Sequence, residues 1–299
     1  MATLQLRPLA NLPLGRIIQG DCLTVMKRFP EESIDLIYID PPFFSKRDYY
    51  TVWNGRRVQA YTDIWEGGMP GYLVWLNARL LEMKRLLKKT GIIHVHLDHH
   101  ASHYVKVEMD KIFGHDNFRN EIVWCYGGGG APRKAFARKH DIILFYAKTE
   151  NYVFNPQFAP YKPHSPFHSK GEPYRDEGKL MEDYWLIEGL GSTSKEKLGY
   201  PTQKPEALLE RIILASSNPN DVVADFFCGS GTTPAVAQRL GRRWIACDMS
   251  RVACAIARRR LAVIKFKRHK GIFRSLFIIV LLHSILNLLR PLRYVLKKT

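Results

Sequence analysis

The stretch Val222–Ser250, VVADFFCGSGTTPAVAQRLGRRWIACDMS, decides the fold. Val222–Phe226 reads as a short buried strand with Asp225 near its end. Glycines at 229 and 231 then turn the chain, where a missing Cβ lets backbone approach a ligand closely. Thr232–Leu240 reads as a helix and Arg243–Cys247 as the next strand. Asp248 ends that strand, about twenty residues after the turn, where an acid can take two ribose hydroxyls. The pattern implies a nucleoside cofactor. A dinucleotide fingerprint needs a third glycine close after the second, and position 234 is Pro instead. No Lys-Ser/Thr pair comes after the loop, so a P-loop is excluded. A plain strand-to-helix turn is the bland alternative, and the preceding strand together with Asp248 counts against it.

Outward from this stretch, the chain keeps alternating. Pro205–Ser216 (PEALLERIILAS) reads as a helix with proline at its start, and Ser250–Leu261 as another. Upstream, Arg16–Gln19 and Leu36–Ile39 read as strands, with a helical turn or two from Cys22 to Arg28 between them. Tyr72–Lys89 carries Leu73, Leu76, Leu80, Met83 and Leu87 at helical spacing, and the spacing predicts a helix stopped by Gly91. Ile92–Leu97, Glu121–Tyr126 and Asp141–Tyr146 complete the strands. Such alternation implies an α/β fold with a largely parallel sheet. From Asn151 to Gly199 the periodicity fades into Pro, Gly, His and aromatic residues, a stretch of the kind that is functional or disordered.

A second stretch carries chemistry. In Leu36–Tyr50, LIYIDPPFFSKRDYY, an apolar run ends in Asp40, and prolines lock the two positions after it. A strand buried on both faces would deliver that carboxylate to the carboxyl edge of the sheet, where α/β ligands bind.

Charge narrows the partner. Of 299 residues, 45 are Lys or Arg and 28 Asp or Glu, a formal net charge of +17. That balance favours a polyanion, either nucleic acid or an acidic membrane surface. The five cysteines are scattered and never spaced CxxC, which argues against disulfides and zinc and for a reducing compartment. The opening MATLQLRPLANLPLGRI has no sustained apolar run, so no signal peptide is expected. Ser275–Leu289 is an apolar run of fifteen residues between basic flanks, short of the roughly 20 that span a bilayer. It reads as a packing or oligomerisation helix, with membrane-surface association or a poorly ordered end as alternatives. The histidines of HVHLDHHASH lack a cysteine partner and read as structural or polar, so no metal is expected.

Together these motifs resemble the amino-group DNA methyltransferases. Asp40-Pro41-Pro42-Phe43 looks like their catalytic motif, and Asp225–Thr233 their S-adenosylmethionine loop. Gly20-Asp21-Cys22 is similar to the segment whose acid contacts the cofactor adenine, and Tyr200–Pro205 (YPTQKP) to the segment lining its methionine end. The strand pair around Lys139-His140-Asp141 also has a counterpart. The catalytic motif comes first and the cofactor loop last, as in the β class, over about residues 15–262. One departure is Phe226, where the family commonly has proline.

The resemblance implies a Rossmann-like S-adenosylmethionine-dependent methyltransferase fold. Its sheet is mostly parallel with helices on both faces, and a small irregular target-recognition region is inserted. The expected layout is a catalytic half over 1–150, a target-recognition region over 151–199, a cofactor-binding half over 200–262 and a basic, apolar tail over 263–299. Catalytic residues are then Asp40, Pro41, Pro42 and Phe43. Cofactor-binding residues are Asp21, Cys22, Lys204, Pro205, Asp225, Phe227, Gly229, Ser230, Gly231, Thr232 and Asp248. Lys46, Arg47, Arg133, Lys134, Arg138 and Lys139 are candidates to track DNA phosphates. An initial Asp in the first motif goes mostly with adenine N6 in this family and an initial Ser with cytosine N4. The implied activity is therefore methyl transfer to adenine N6 in double-stranded DNA, in the cytoplasm. Cytosine-N4 transfer and a non-catalytic DNA-binding protein are the rivals. A restriction endonuclease and a second copy of the chain are further partners that the family allows, whereas a membrane is not expected.

The chemistry fits the residues. An exocyclic base amine is a poor nucleophile because its lone pair is delocalised into the ring. Asp40 and the Pro41 carbonyl can each accept one of its N–H groups, and Phe43 offers a stacking face to a base flipped out of the duplex. Cytosine-C5 chemistry needs a cysteine nucleophile, usually beside proline, and none of the five has that setting.

Overall fold

In the computed structural model, residues 9–128, 130, 132–160 and 178–264 are described. The chain divides into a large unit, Met1–Arg258, and a second, Arg259–Thr299, of which only the helical residues 259–264 are described. The apolar tail run Ser275–Leu289 therefore lies outside the described residues. No helix among them is long and apolar enough to cross a membrane.

The large unit opens with β1 (Arg16–Gln19), α1 (Cys22–Met26) and β2 (Ile34–Ile39). A hairpin of β3 (Asp48–Trp53) and β4 (Arg56–Thr62) comes next, then α2 (Gly68–Leu86), β5 (Leu87–Leu97), α3 (Ser102–Phe113), β6 (Phe118–Cys125) and β7 (His140–Ala147). The aperiodic region contributes β8 (Phe158–Ala159), β9 (Lys179–Leu180) and β10 (Tyr184–Leu186). Last come α4 (Glu206–Ser216), β11 (Val222–Asp225), α5 (Thr232–Arg239), β12 (Arg243–Asp248) and a helix, α6, opening at Arg251.

Eight strands form one sheet in the order β1-β12-β11-β2-β5-β7-β6-β10. Pairing is parallel from β1 through β5. It turns antiparallel on both sides of β7, and β10 runs parallel to β6 at the edge. The strand period of two separates the faces. Ile37, Ile39, Ile93 and Val95 pack with Leu76, Leu80 and Met83 of α2 and Val105 and Met109 of α3. His94 points the other way, where its Nε2 meets Ser216 Oγ of α4 at 2.8 Å. Helices thus cover both faces, and the mostly parallel α/β expectation holds.

Two local expectations need correction. The helix predicted over 72–89 begins earlier and stops at Leu86, so Gly91 does not cap it but lies inside β5. A Cβ on Gly91 would stand 2.9 Å from both Leu87 Cδ2 and the Lys88 carbonyl oxygen. Glycine there permits a close approach inside a strand rather than ending a helix. The hairpin of β3 and β4 is an addition to the expected elements, although its turn is Asn54-Gly55, with φ of 50° and 74°. Positive φ at both turn residues is what a two-residue hairpin turn demands, and Asn-Gly supplies it most readily.

Candidate active site

The parallel strands bring their carboxyl ends to one edge. Gly20 and Asp21 follow β1 there, Asp40 follows β2, Asp225 ends β11 and Asp248 ends β12. These residues line one cavity of 560 Å³, within the usual size of a small-molecule site. The expected cofactor-binding residues all line it except Pro205 and Gly231. Pro205 instead caps α4 with extended backbone, so the helix opens at Glu206, one position after the expected start. Gly231, at φ 77°, packs against α6, where an added Cβ would meet Ala257 Cβ at 2.7 Å.

At the glycine loop, the acids first organise backbone. Asp248 Oδ2 accepts from Gly229 N at 2.8 Å, and its Oδ1 from Ser250 N at 2.8 Å. Each oxygen keeps a second lone-pair direction for a ligand. Burial raises the Asp248 carboxyl above the usual range despite these amides. Asp225 accepts from Thr233 Oγ1 at 2.6 Å and Phe227 N at 3.0 Å, and burial pushes it up to about 7. Phe226, the departure from the family pattern, is buried against Phe29.

Asp21 caps α1 through Leu23 N and pairs with Arg79 at 2.6 Å. The Arg79 guanidinium lies over Trp75, whose ring meets Phe227 at 5.6 Å between centroids. Trp75 and Arg79 of α2, and Gln59–Thr62 of β4, are cavity walls to which the motifs do not point. The Cys22 thiol, in the same wall, is pushed up to about 11 by burial. Burial also raises Cys228, Cys247 and Cys254, so these four thiols are poor nucleophiles.

The Asp40 end is built from three elements. Lys204 Nζ donates to Asp40 Oδ2 at 2.6 Å, both side chains being largely buried. Lys204 is expected at the cofactor, but its ammonium holds the acid and stands 5.1 Å from the centre of the Phe43 ring. Asp40 Oδ1 is buried with no hydrogen-bond partner among the described residues. Asp63, absent from the expected set, fixes the turn after the prolines. Its Oδ2 accepts from Phe43 N and Ser45 N, and its Oδ1 from Phe44 N and Trp65 Nε1, at 2.7–3.0 Å. Phe44 and Lys46 take positive φ, of 64° and 59°, within that turn. Strain of this kind persists where surroundings over-determine it. Tyr72 Oη also donates to the Pro42 carbonyl at 2.8 Å. Phe44 itself packs on the core beside Tyr72.

Behind Phe43 lies a polar chain. The Phe43 ring stacks on His96 at 6.0 Å and 20°. His96 Nδ1 lies 2.8 Å from Tyr38 Oη and its Nε2 3.1 Å from Asp141 Oδ2, whose Oδ1 accepts from Tyr126 Oη at 3.1 Å. Burial and the Lys204 charge lower the His96 pKa, outweighing Asp141. Burial alone would raise Asp141, yet the His96 hydrogen bond and charge, Lys204 and Tyr126 bring it below the usual value. A neutral imidazole donating Nε2–H to an ionised Asp141 and accepting from Tyr38 satisfies every partner.

The histidine run divides accordingly. His94 and His96 are sheet residues, while Asp98, His99 and His100 gather their ligand atoms within 4.8 Å of one another. Asp98 already accepts from the His100 amide at 2.8 Å and its ring at 2.7 Å. Of the expected phosphate contacts, Lys46, Arg47, Arg133, Lys134 and Arg138 are exposed. Lys139 differs: its ammonium donates to the carbonyls of Gly128 and Gly130 in its own loop. The 161–177 part of the expected recognition region lies outside the described residues, and β10 joins its remainder to the main sheet.

Comparison with known proteins adds an independent line. A family model described as DNA methylase matches residues 34–259. The DNA adenine methyltransferase YhdJ of Escherichia coli K12 is 32% identical over 262 residues, covering 83% of this chain and 82% of that protein. The type II methyltransferase M.HinfI of Haemophilus influenzae is 32% identical over 265 residues, covering 84% and 69%. In fold, the chain resembles the PvuII cytosine-N4-specific DNA methyltransferase, with a TM-score of 0.60 at 20% identity over 84% of this chain and 87% of that one. It also resembles M1.HpyAVI solved with S-adenosylmethionine, with a TM-score of 0.55 at 20% identity over 82% and 98%.

Proposed function

The chain belongs to the DNA methylase family, and from that membership we propose that it methylates adenine N6 in duplex DNA with S-adenosylmethionine as donor. The observation that carries the reading is Asp40. One oxygen is held by Lys204 and the other is buried without a hydrogen-bond partner among the described residues, on a residue that lines the same cavity as Gly229 and Ser230. The adenine-specific name of YhdJ supports N6 over cytosine N4, in line with Asp rather than Ser at position 40.

The cavity suits the donor. Its volume, the strand-ending acid Asp248 and the aromatic wall of Phe227 and Trp75 match a nucleoside bearing a polar tail. Gly229, Ser230, Asp248 and Asp21 would hold it, with Phe227 against its base. When bound, S-adenosylmethionine supplies a methyl group activated on a sulfonium.

The chain's own residues prepare the acceptor. Extrusion from the duplex exposes the target amine, and Phe43, backed by His96, offers the extruded base a stacking face. Asp40 Oδ1 accepts one N–H, and the Pro41 carbonyl, aimed by the proline ring, accepts the other. As positive charge develops on nitrogen, these fixed acceptors stabilise it without reorganising, a contribution of about 3 kcal/mol per contact. Lys204 keeps the Asp40 rotamer fixed so that Oδ1 stays presented. Exposed Lys46, Arg47, Arg133, Lys134 and Arg138 bind phosphates. The type II name of M.HinfI supports a role beside a restriction endonuclease.

The test is transfer of labelled methyl from S-adenosylmethionine to unmodified duplex DNA, then nucleoside chromatography. Label in N6-methyl-2′-deoxyadenosine is expected. Label in N4-methylcytosine would reassign the base, and unlabelled DNA with the cofactor bound would remove the activity.

A further inference from the structure

Phe136 is 99% exposed, and the next most exposed large apolar residue among the described residues is Leu186 at 76%. A singly exposed apolar side chain is ordinary on a protein surface. An aromatic ring held wholly in water, between exposed cations in the sequence, on a connection at the sheet edge that carries the site is less so. Phe136 lies in the connection between β6 and β7, with Arg133, Lys134 and Arg138 exposed around it.

The topology places that connection. β7 is antiparallel to β5, and β6 antiparallel to β7, so β6 ends and β7 begins at the edge where β5 and β2 end. That is the edge carrying Asp40. The base of the connection is built. Tyr126 N donates to the Lys139 carbonyl at 2.9 Å, and the Lys139 ammonium holds the carbonyls of Gly128 and Gly130. Tyr126 Oη further donates to Asp141, which reaches the ring under Phe43 through His96.

We propose that Phe136 is a wedge that enters the duplex and occupies the stack vacated by the extruded base. The inference rests on the proposed function, since only a reaction on a flipped base leaves such a gap. The physical reason is twofold. Unstacking a base step is costly, and an apolar ring inserted there recovers part of the stacking. Insertion also removes the Phe136 ring from water. The flanking cations select a polyanion over a protein partner, because they would sit against phosphates on either side of the entry point.

The test uses the full chain on short duplexes containing its own methylation site, identified by sequencing modified adenines in DNA it has treated. One duplex carries thymine opposite the target adenine, the other an abasic residue, which makes extrusion easy. Phe136→Ala is expected to lower kcat/KM on the paired duplex by about tenfold, the scale of one lost aromatic–base stack. On the abasic duplex its activity should approach that of the wild type, and Phe136→Trp should keep activity on both. Equal activity of Phe136→Ala and wild type on the paired duplex overturns the wedge. So does an equal loss on both duplexes, the mark of a general contact. Absence of transfer by the wild type on either duplex would instead fell the proposed function, and the wedge with it.

Discussion

Lys204 Nζ lies 2.6 Å from Asp40 Oδ2, joining two residues 164 positions apart in the chain. The contact crosses the active edge from the segment before α4 to the end of β2. It engages one carboxylate oxygen and leaves the other, Oδ1, buried without a hydrogen-bond partner among the described residues.

Two substitutions separate the partners' roles. Asp40→Asn keeps the shape but removes the charge facing the amine, and should lower kcat by about a hundredfold while calorimetry still detects S-adenosylmethionine binding. Lys204→Met strands the Asp40 carboxylate in a largely buried place. Its loss of stability should be about 3 kcal/mol, the low end for removing one partner of a pair shielded from water, read from urea unfolding. The double variant Asp40→Asn/Lys204→Met should recover much of that loss, because no charge is left unpaired. Strict additivity would show that the ion pair contributes nothing.

Asp63 accepts three consecutive backbone amides, those of Phe43, Phe44 and Ser45. Asp63→Ala should therefore loosen the turn that carries Phe43. We expect about 3 kcal/mol of destabilisation, since charge-assisted hydrogen bonds are the strong ones and several are lost together. The fall in kcat should exceed any change in donor affinity. A stable variant with unchanged turnover would show that the prolines alone set the turn.

Asp225 gives a pH signature. Its folded pKa, about 7, lies above the ordinary carboxylate value, so the folded chain holds a proton that the unfolded chain releases. The associated stability is fully present below about pH 4 and is lost as pH rises through about 7. Asp225→Asn removes this term. The wild-type stability minus that of Asp225→Asn should fall between pH 5 and pH 7 by about 1 kcal/mol per unit, read from unfolding midpoints. A pH-independent difference would place the Asp225 proton elsewhere.

Gly231 tests the loop. With φ at 77° and Ala257 Cβ only 2.7 Å from a built Cβ, Gly231→Ala carries both backbone strain and overlap with α6. About 2 kcal/mol of destabilisation is expected, with weaker S-adenosylmethionine binding. Gly128→Ala has nothing within 4 Å and serves as the control for positive φ alone. Equal effects of the two would show that the Ala257 contact is soft.

Much of the fold is legible from local pattern, because it depends on local rules. The strand–turn–helix around Gly229 and Gly231, the strand leading to Asp40 and the alternation behind a parallel sheet all come from periodicity and from where glycine and proline sit. The Asn54-Gly55 hairpin has a clear turn signal, but β3, DYYTVW, sets its aromatic and apolar residues side by side and so lacks the alternation that marks a half-buried strand. Gly91 misleads because glycine ends helices and admits close strand contacts by the same lack of a Cβ.

The groups able to do the chemistry are written along the chain: a carboxylate locked by prolines, a glycine loop, an acid at the next strand end and an excess of positive charge. Their partners are not. That Lys204 holds Asp40, that Asp63 holds the turn, that His96 backs Phe43 and that Trp75 and Arg79 wall the cavity are contacts between residues far apart in the chain or on separate elements. No local propensity encodes them, because they arise when strand order and helix packing bring the carboxyl ends of the sheet together.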